Sequence, residues 1–210
     1  MRRVSRLPVG IAAIPPLIYN NSVMQRIYTL QVQNRCEGKY IKLFKRQHPQ
    51  LPFALYAPLR RMPIRRRGAL RHANSVIFPG YVFVETGEDD IFAASIAAFR
   101  RVAGFYRFLK SNQNICPLSG RDLELALHFI RRAGPVAGLS TVFFNEQSRI
   151  VVVDGPLLGL EGKIIKVDKR KGRAKIKLDL YDDSFAIDLP FAVIEKTLAS
   201  VSPKQMNSEK

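Results

Sequence analysis

Six arginines stand within a dozen residues, Arg60, Arg61, Arg65, Arg66, Arg67 and Arg71. A guanidinium stays charged at every accessible pH and presents a planar fork of N–H donors, so such a cluster is chemistry for phosphates. Its flanks sharpen the reading: from Glu37 to Glu85 no acidic residue intervenes, while that stretch carries ten Lys and Arg. A second basic run extends from Lys163 to Lys177, with eight cations and one acid, Asp168, before Asp179, Asp182, Asp183 and Asp188 reverse the sign. Single-sign runs of this kind repel themselves unless a polyanion neutralises them.

Bond-making chemistry is absent by contrast. Of His48, His72 and His128, only His128 has an acid one helical turn away, Glu124, which is the spacing of a helix-surface pair. Cys36 and Cys116 lie 80 positions apart, with no CxxC or Cys/His spacing for zinc and no disulfide framework. There is no Gly-rich phosphate loop and no Ser/His/Asp arrangement. The chain therefore reads as a binding protein, not an enzyme, with no catalytic residue, no metal and no cofactor.

The 210 residues hold 34 Lys and Arg against 17 Asp and Glu, a net charge of +17, with 47% hydrophobic residues. That apolar fraction supports packed cores and excludes a basic tail as the whole protein. Residues 1–144 carry a net +15 and residues 145–196 only +1. Arg2, Arg3 and Arg6 precede an apolar stretch, Leu7 to Ile18, but Pro8, Pro15 and Pro16 break any helix there. Residues 1–23 read as a flexible extension, with Met24 opening the first domain. No run of about 18 apolar residues exists to span a membrane; a cytoplasmic monomer is expected.

The elements that must position the basic groups follow from periodicity. Ile27 to Val32 alternates as a strand, and Glu37 to Gln47 spaces Tyr40, Ile41 and Phe44 as an amphipathic helix. Phe53 to Tyr56 is a second strand, and the arginine segment a long exposed loop or hairpin. Pro79-Gly80 marks a turn before the strand Tyr81 to Glu85, with Tyr81 and Phe83 on one face. Asp89 or Asp90 caps a helix bearing Ile91, Phe92, Ile96 and Phe99; Phe105 to Leu109 is strand-like; Ser119 and Asp122 form a capping box ahead of a helix that Gly134-Pro135 ends. This order predicts a ferredoxin-like antiparallel α+β domain over residues 24–132, then a linker over 133–148. Five short strands, Ile150–Val153, Leu160–Val167, Ala174–Leu180, Phe185–Leu189 and Phe191–Ile194, predict a small SH3-like β-barrel over 149–196, and residues 197–210 a disordered tail.

Two stretches carry a family resemblance. Phe78-Pro79-Gly80-Tyr81-Val82-Phe83-Val84 follows a strand and helix, and Val153-Asp154-Gly155-Pro156 leads into Leu160-Glu161-Gly162-Lys163-Ile164-Ile165-Lys166-Val167. In this order they resemble the NusG family, an NGN domain followed by a KOW domain. The resemblance implies a transcription elongation factor whose NGN domain grips the clamp helices of RNA polymerase through an apolar pocket, at positions matching Tyr81, Phe83 and Phe108. It also sets Arg60, Arg61, Arg65, Arg66, Arg67 and Arg71 near upstream or non-template DNA. Tyr181-Asp182-Asp183 keeps the family's aromatic at the barrel turn but loses the arginine that follows, which speaks against contacts with Rho and the ribosome. Phe92-Ala93-Ala94 stands where the RfaH paralog carries His-Thr-Thr.

The run Asp168 to Lys175 is most similar to the LoaP-type processive antiterminators, whose KOW domain binds a nascent RNA hairpin. The residues fit that role. Gly172 suits a tight hairpin tip bearing Lys169, Arg170 and Lys171, and strand alternation sends Arg173, Lys175 and Lys177 to one face. Such a tip meets an RNA stem by charge and shape. The expected function is elongation and processive antitermination. The alternatives are a general elongation factor without RNA specificity and a KOW-containing ribosomal RNA-binding protein.

Overall fold

The computed structural model describes residues 26–66, 68–109, 114–134, 136–181 and 183–194. The expected N-terminal extension, the tail, Arg67 and Asp182 lie outside them.

Strand β1 (Arg26–Val32) is the axis of the first sheet. It pairs antiparallel with β5 (Tyr81–Thr86) on one side and β6 (Phe105–Phe108) on the other, and β2 (Ala54–Tyr56) lines β5, giving the order β2-β5-β1-β6. Period-2 alternation divides the side chains between two faces. Tyr28, Leu30, Val32, Val82, Val84 and Phe108 meet the apolar sides of α1 (Glu37–Gln47), α2 (Asp89–Ala94) and α3 (Ile96–Arg101). Aromatic contacts fill that layer: Phe44 stacks on Phe99 at 4.4 Å and Tyr28 on Phe92 at 3.7 Å.

Two expected helix caps are occupied differently. Asp89 sits in the first turn of α2, behind Glu88 as the N-cap residue. It accepts the Tyr28 hydroxyl at 2.8 Å and pairs with Arg26, tying the helix start to β1. Ser119 holds the N-cap position of α4 (Gly120–Leu127) without a capping hydrogen bond, and Asp122 instead accepts the Tyr181 backbone N–H at 3.3 Å. In each case a carboxylate serves a tertiary contact in place of its own helix end.

The arginine segment is a hairpin. Strands β3 (Leu59–Arg66) and β4 (Ala69–Val76) pair antiparallel, and β7 (Val136–Ala137) adds to β3 in parallel. After α4 the chain runs on through a π-helical turn, His128–Arg132, and leaves the helix at Gly134 with a positive φ.

A five-stranded sheet then curls in the manner of a small barrel, in the order β10-β11-β12-β8-β9. Its members are β8 (Ser140–Phe144), β9 (Ile150–Asp154), β10 (Ile164–Asp168), β11 (Arg173–Leu180) and β12 (Asp183–Val193). The architecture is α+β, as expected, with differences in the strands: the one expected over Leu160–Val167 begins only at Ile164, after a 3-10 turn over Glu161–Lys163. The segments Phe185–Leu189 and Phe191–Ile194 are one strand. Pro190 sits where β12 passes from antiparallel pairing with β11 to parallel pairing with β8, so its missing N–H marks a change of partner, not a strand end. The fifth strand is β8, from within the segment expected as linker.

The sheet and the barrel share one apolar core. Ile27, Ile77, Phe78, Tyr81 and Phe83 from the first part are continuous with Val142, Leu157, Ile176, Leu178, Ile187 and Leu189 from the second, joined through Leu125, Ala126 and Phe129.

Candidate functional site

The Pro79-Gly80 turn aims the aromatic strand. Gly80 has φ +84°, a left-handed conformation that glycine adopts without steric cost, and its N–H donates to Glu37 Oε1 at 2.6 Å. Glu37 is only 2% exposed and also accepts the Arg35 N–H at 3.1 Å, so one carboxylate in the first turn of α1 pins the start of β5. From there Tyr81 and Phe83 project to the face away from α1–α3.

That face is covered. Phe78 lies edge-on to Phe83 at 5.4 Å, to Phe129 at 5.7 Å and to Phe185 of β12 at 5.9 Å. Tyr81 meets Phe185 at 5.5 Å, and its hydroxyl donates to the Asp183 carboxylate. Burial, then the bond to Asp183, hold the Tyr81 phenol well above its ordinary pKa. Tyr181, at φ +53° in the β11–β12 turn, inserts beside it. Its hydroxyl and Thr29 Oγ1 are buried without a hydrogen bond of good geometry, and burial pushes its phenol up to about 12. The structure thus brings together Tyr81 and Phe83 with Phe78, Phe185, Asp183 and Tyr181. It separates Phe108, which lies on the opposite face of the sheet, fully buried among Phe92, Phe99 and Phe105. Leu30 opposite Phe108 explains this: the pair shares the face of Val82, not that of Phe83.

The arginine hairpin splits its charges by alternation. Cross-strand pairing groups Arg60, Met62, Ile64 and Arg71 on one face, with Arg61 and His72 on the other. Arg60 is drawn in: it donates to the Asp188 carbonyl of β12, its Nε is buried without a partner, and burial lowers its pKa. It occupies the β12 edge where no strand pairs. Arg61 and Arg71 remain exposed. The backbones of Arg65 and Arg66 belong to β3, their side chains lying outside the described residues together with Arg67.

On the barrel, Lys169, Arg170 and Lys171 sit exposed at the β10–β11 turn as expected. Gly172 closes that turn at φ +58°; a Cβ there would stand 2.9 Å from the Phe191 carbonyl oxygen, and Phe191 N–H donates to the Gly172 carbonyl at 2.8 Å. Several cations have intramolecular partners. Lys169 lies 4.0 Å over the Phe144 ring, Lys171 is 3.9 Å from Asp168, Arg173 3.8 Å from Asp188 and Lys177 3.7 Å from Asp179. Asp179 is held below the usual carboxylate range by the Ser184 hydroxyl first, then by Lys177 and Lys163. Lys166, Lys171, Arg173 and Lys175 line a shallow groove with Asp168 and Asp188. Lys166 is the member that sequence reasoning missed, although its alternation with the opposite strand, Lys166 beside Lys175, is the signal that finds it.

Among the described residues no three His, Cys, Asp or Glu side chains cluster to hold a metal, and no helix is long and apolar enough to cross a membrane. The arrangement sets exposed cations along the hairpin and the barrel and buries an aromatic face.

Sequence similarity links this chain to known proteins. Residues 25–127 match the family described as "Transcription termination factor nusG". The chain is 25% identical over 179 residues to the transcription termination/antitermination protein NusG of Escherichia coli O6:H1, covering 82% of this chain and 96% of that protein. It is 28% identical over 131 residues to NusG of Buchnera aphidicola subsp. Acyrthosiphon pisum, covering 62% and 71%. A solved structure titled "Domain interaction in Thermotoga maritima NusG" overlays with a TM-score of 0.41 at 16% identity, covering 79% of this chain and 93% of that one.

Proposed function

We propose, from the match of residues 25–127 to the NusG family model, that this chain is a NusG-like transcription termination/antitermination factor. In this reading it binds RNA polymerase through the sheet face of Phe78, Tyr81 and Phe83, and nucleic acid through its barrel. The observation that carries the reading is the aromatic face itself. Three large rings line one side of β5 and its entry turn, and the barrel's Phe185 and Asp183 cap two of them. An aromatic face that a second module covers suits a protein–protein contact that opens when the module leaves.

The barrel end fits RNA of the LoaP-type kind: a glycine-tipped turn carries Lys169, Arg170 and Lys171, with Arg173, Lys175 and Lys177 along β11. Arg61 and Arg71 on the hairpin suit contact with DNA beside a polymerase. Phe108 is left out of the polymerase site because it belongs to the other layer of the sheet. The loss of positive charge after Tyr181 leaves Rho and ribosome contacts unsupported.

The test is capture of core RNA polymerase on immobilised protein. Wild type should bind weakly, Asp183→Ala should bind more strongly because the barrel's bond to Tyr81 is lost, and Asp183→Ala with Tyr81→Ala should lose the gain while keeping its circular dichroism spectrum. Equal binding by all three would remove the aromatic face from the polymerase contact.

A further inference from the structure

Taken along the chain, the two basic clusters look like two independent contacts. The fold brings them together at one residue. Arg60 of the hairpin donates to the Asp188 carbonyl, while the Asp188 carboxylate faces Arg173 at 3.8 Å and its backbone lies opposite Lys175 in the ladder. Arg71 shares the hairpin face of Arg60, standing opposite Ile64 four residues along β3. Met62, between them on that face, is buried, whereas Ile64 is 40% exposed and Arg71 is exposed. The hairpin therefore meets the barrel at Asp188, one of the groove's lining residues, and carries Arg71 on the same face as the Arg60 that makes the contact.

We propose that Arg71 of the hairpin and Lys166, Arg173 and Lys175 of the barrel form one binding surface that seats a single nucleic-acid helix. The inference rests on the reading of these clusters as phosphate contacts. Its geometry follows from chain dimensions. Four residues of strand span about 13 Å, two ladder steps add roughly 5 Å each, and an extended arginine about 7 Å, so a path of ~30 Å joins Lys175 to Arg71. At about 3.4 Å per base pair that is the length of roughly nine pairs, so one short stem reaches both. Electrostatics favours the same arrangement. Asp168 and Asp188 neutralise part of the groove, so the barrel alone offers a stem few uncompensated cations, and the hairpin supplies the remainder.

The decisive experiment titrates the full chain with a 20-base-pair RNA stem-loop and, separately, a DNA duplex of the same sequence. Stoichiometry is read by sedimentation and affinity by fluorescence anisotropy across a salt series. One helix per chain is expected for the tighter ligand. Lys166→Glu with Lys175→Glu, and Arg71→Glu alone, should each weaken that one event by about tenfold or more. Each should also make the slope of log K against log salt shallower by about one for every phosphate contact removed. Two helices per chain, with each variant abolishing one of them, would overturn the shared surface while leaving the phosphate reading intact. Full affinity in Arg71→Glu would do the same. No binding of either helix at low salt would overturn both.

Discussion

At the scale of single residues, the tightest constraints are buried polar groups whose partners come from distant parts of the chain. Glu37 ties two backbone N–H groups, one of them Gly80, and so sets the aim of the whole aromatic strand. Tyr181 is the opposite case, a phenol inserted beneath the sheet whose hydroxyl meets Thr29 without a hydrogen bond of good geometry. Removing a poorly paired buried hydroxyl costs little in hydrogen bonding and removes a desolvation penalty. Tyr181→Phe should therefore leave stability unchanged or raise it by up to ~1 kcal/mol in urea unfolding, whereas Tyr181→Ala should lower it by leaving a cavity. The pH dependence has a definite sign. Folding raises this phenol from its ordinary 10.0 to about 12, so its contribution is complete below about 10 and is lost as pH rises through about 12. Alkaline unfolding monitored across that window should shift upward in pH in Tyr181→Phe.

At the scale of elements, strand alternation decides which side chain of a cluster does what. The arginine cluster is one composition in sequence, but Arg60, Arg61 and Arg71 divide between two faces in the hairpin, with Arg60 spent on the β12 edge and Arg61 turned away from Arg71. Alternation also explains Phe108: its register opposite Leu30 assigns it to the helix-covered face, a fact that depends on which strand pairs with which. The β10–β11 turn is specified more locally. At Gly172, φ is +58° and the Phe191 carbonyl oxygen would meet any Cβ at 2.9 Å. Gly172→Ala should cost on the order of 1–3 kcal/mol in denaturant unfolding and lower RNA affinity by displacing Lys169 to Lys171.

At the scale of the molecule, one core runs from the sheet into the barrel, and the same docked arrangement sets Arg60 of the hairpin against Asp188 of β12. These two consequences are linked. On the proposed reading, a helix bound across hairpin and barrel would favour the arrangement in which Phe185 covers Phe78 and Tyr81, and by reciprocity polymerase bound to that face would weaken the helix. Saturating core polymerase should therefore raise the apparent Kd for the stem-loop, and the stem-loop should reduce polymerase capture by the same factor. Asp183→Ala should shrink both effects, because the bond that couples covering to docking is gone.

Sequence alone determined the α+β division, the strand and helix types over most of the chain, the two basic runs and the aromatic strand after Phe78-Pro79-Gly80. Each of these is written in local periodicity, turn chemistry or the sign of consecutive charges. Tertiary structure alone decided that β8 completes the barrel sheet, that Pro190 marks a change of partner, that Phe108 turns away from Tyr81, and that Asp188 joins the two basic clusters. These features depend on pairing between segments tens to more than a hundred residues apart. No local pattern encodes such pairing, because a strand's alternation is the same whichever neighbour it finds.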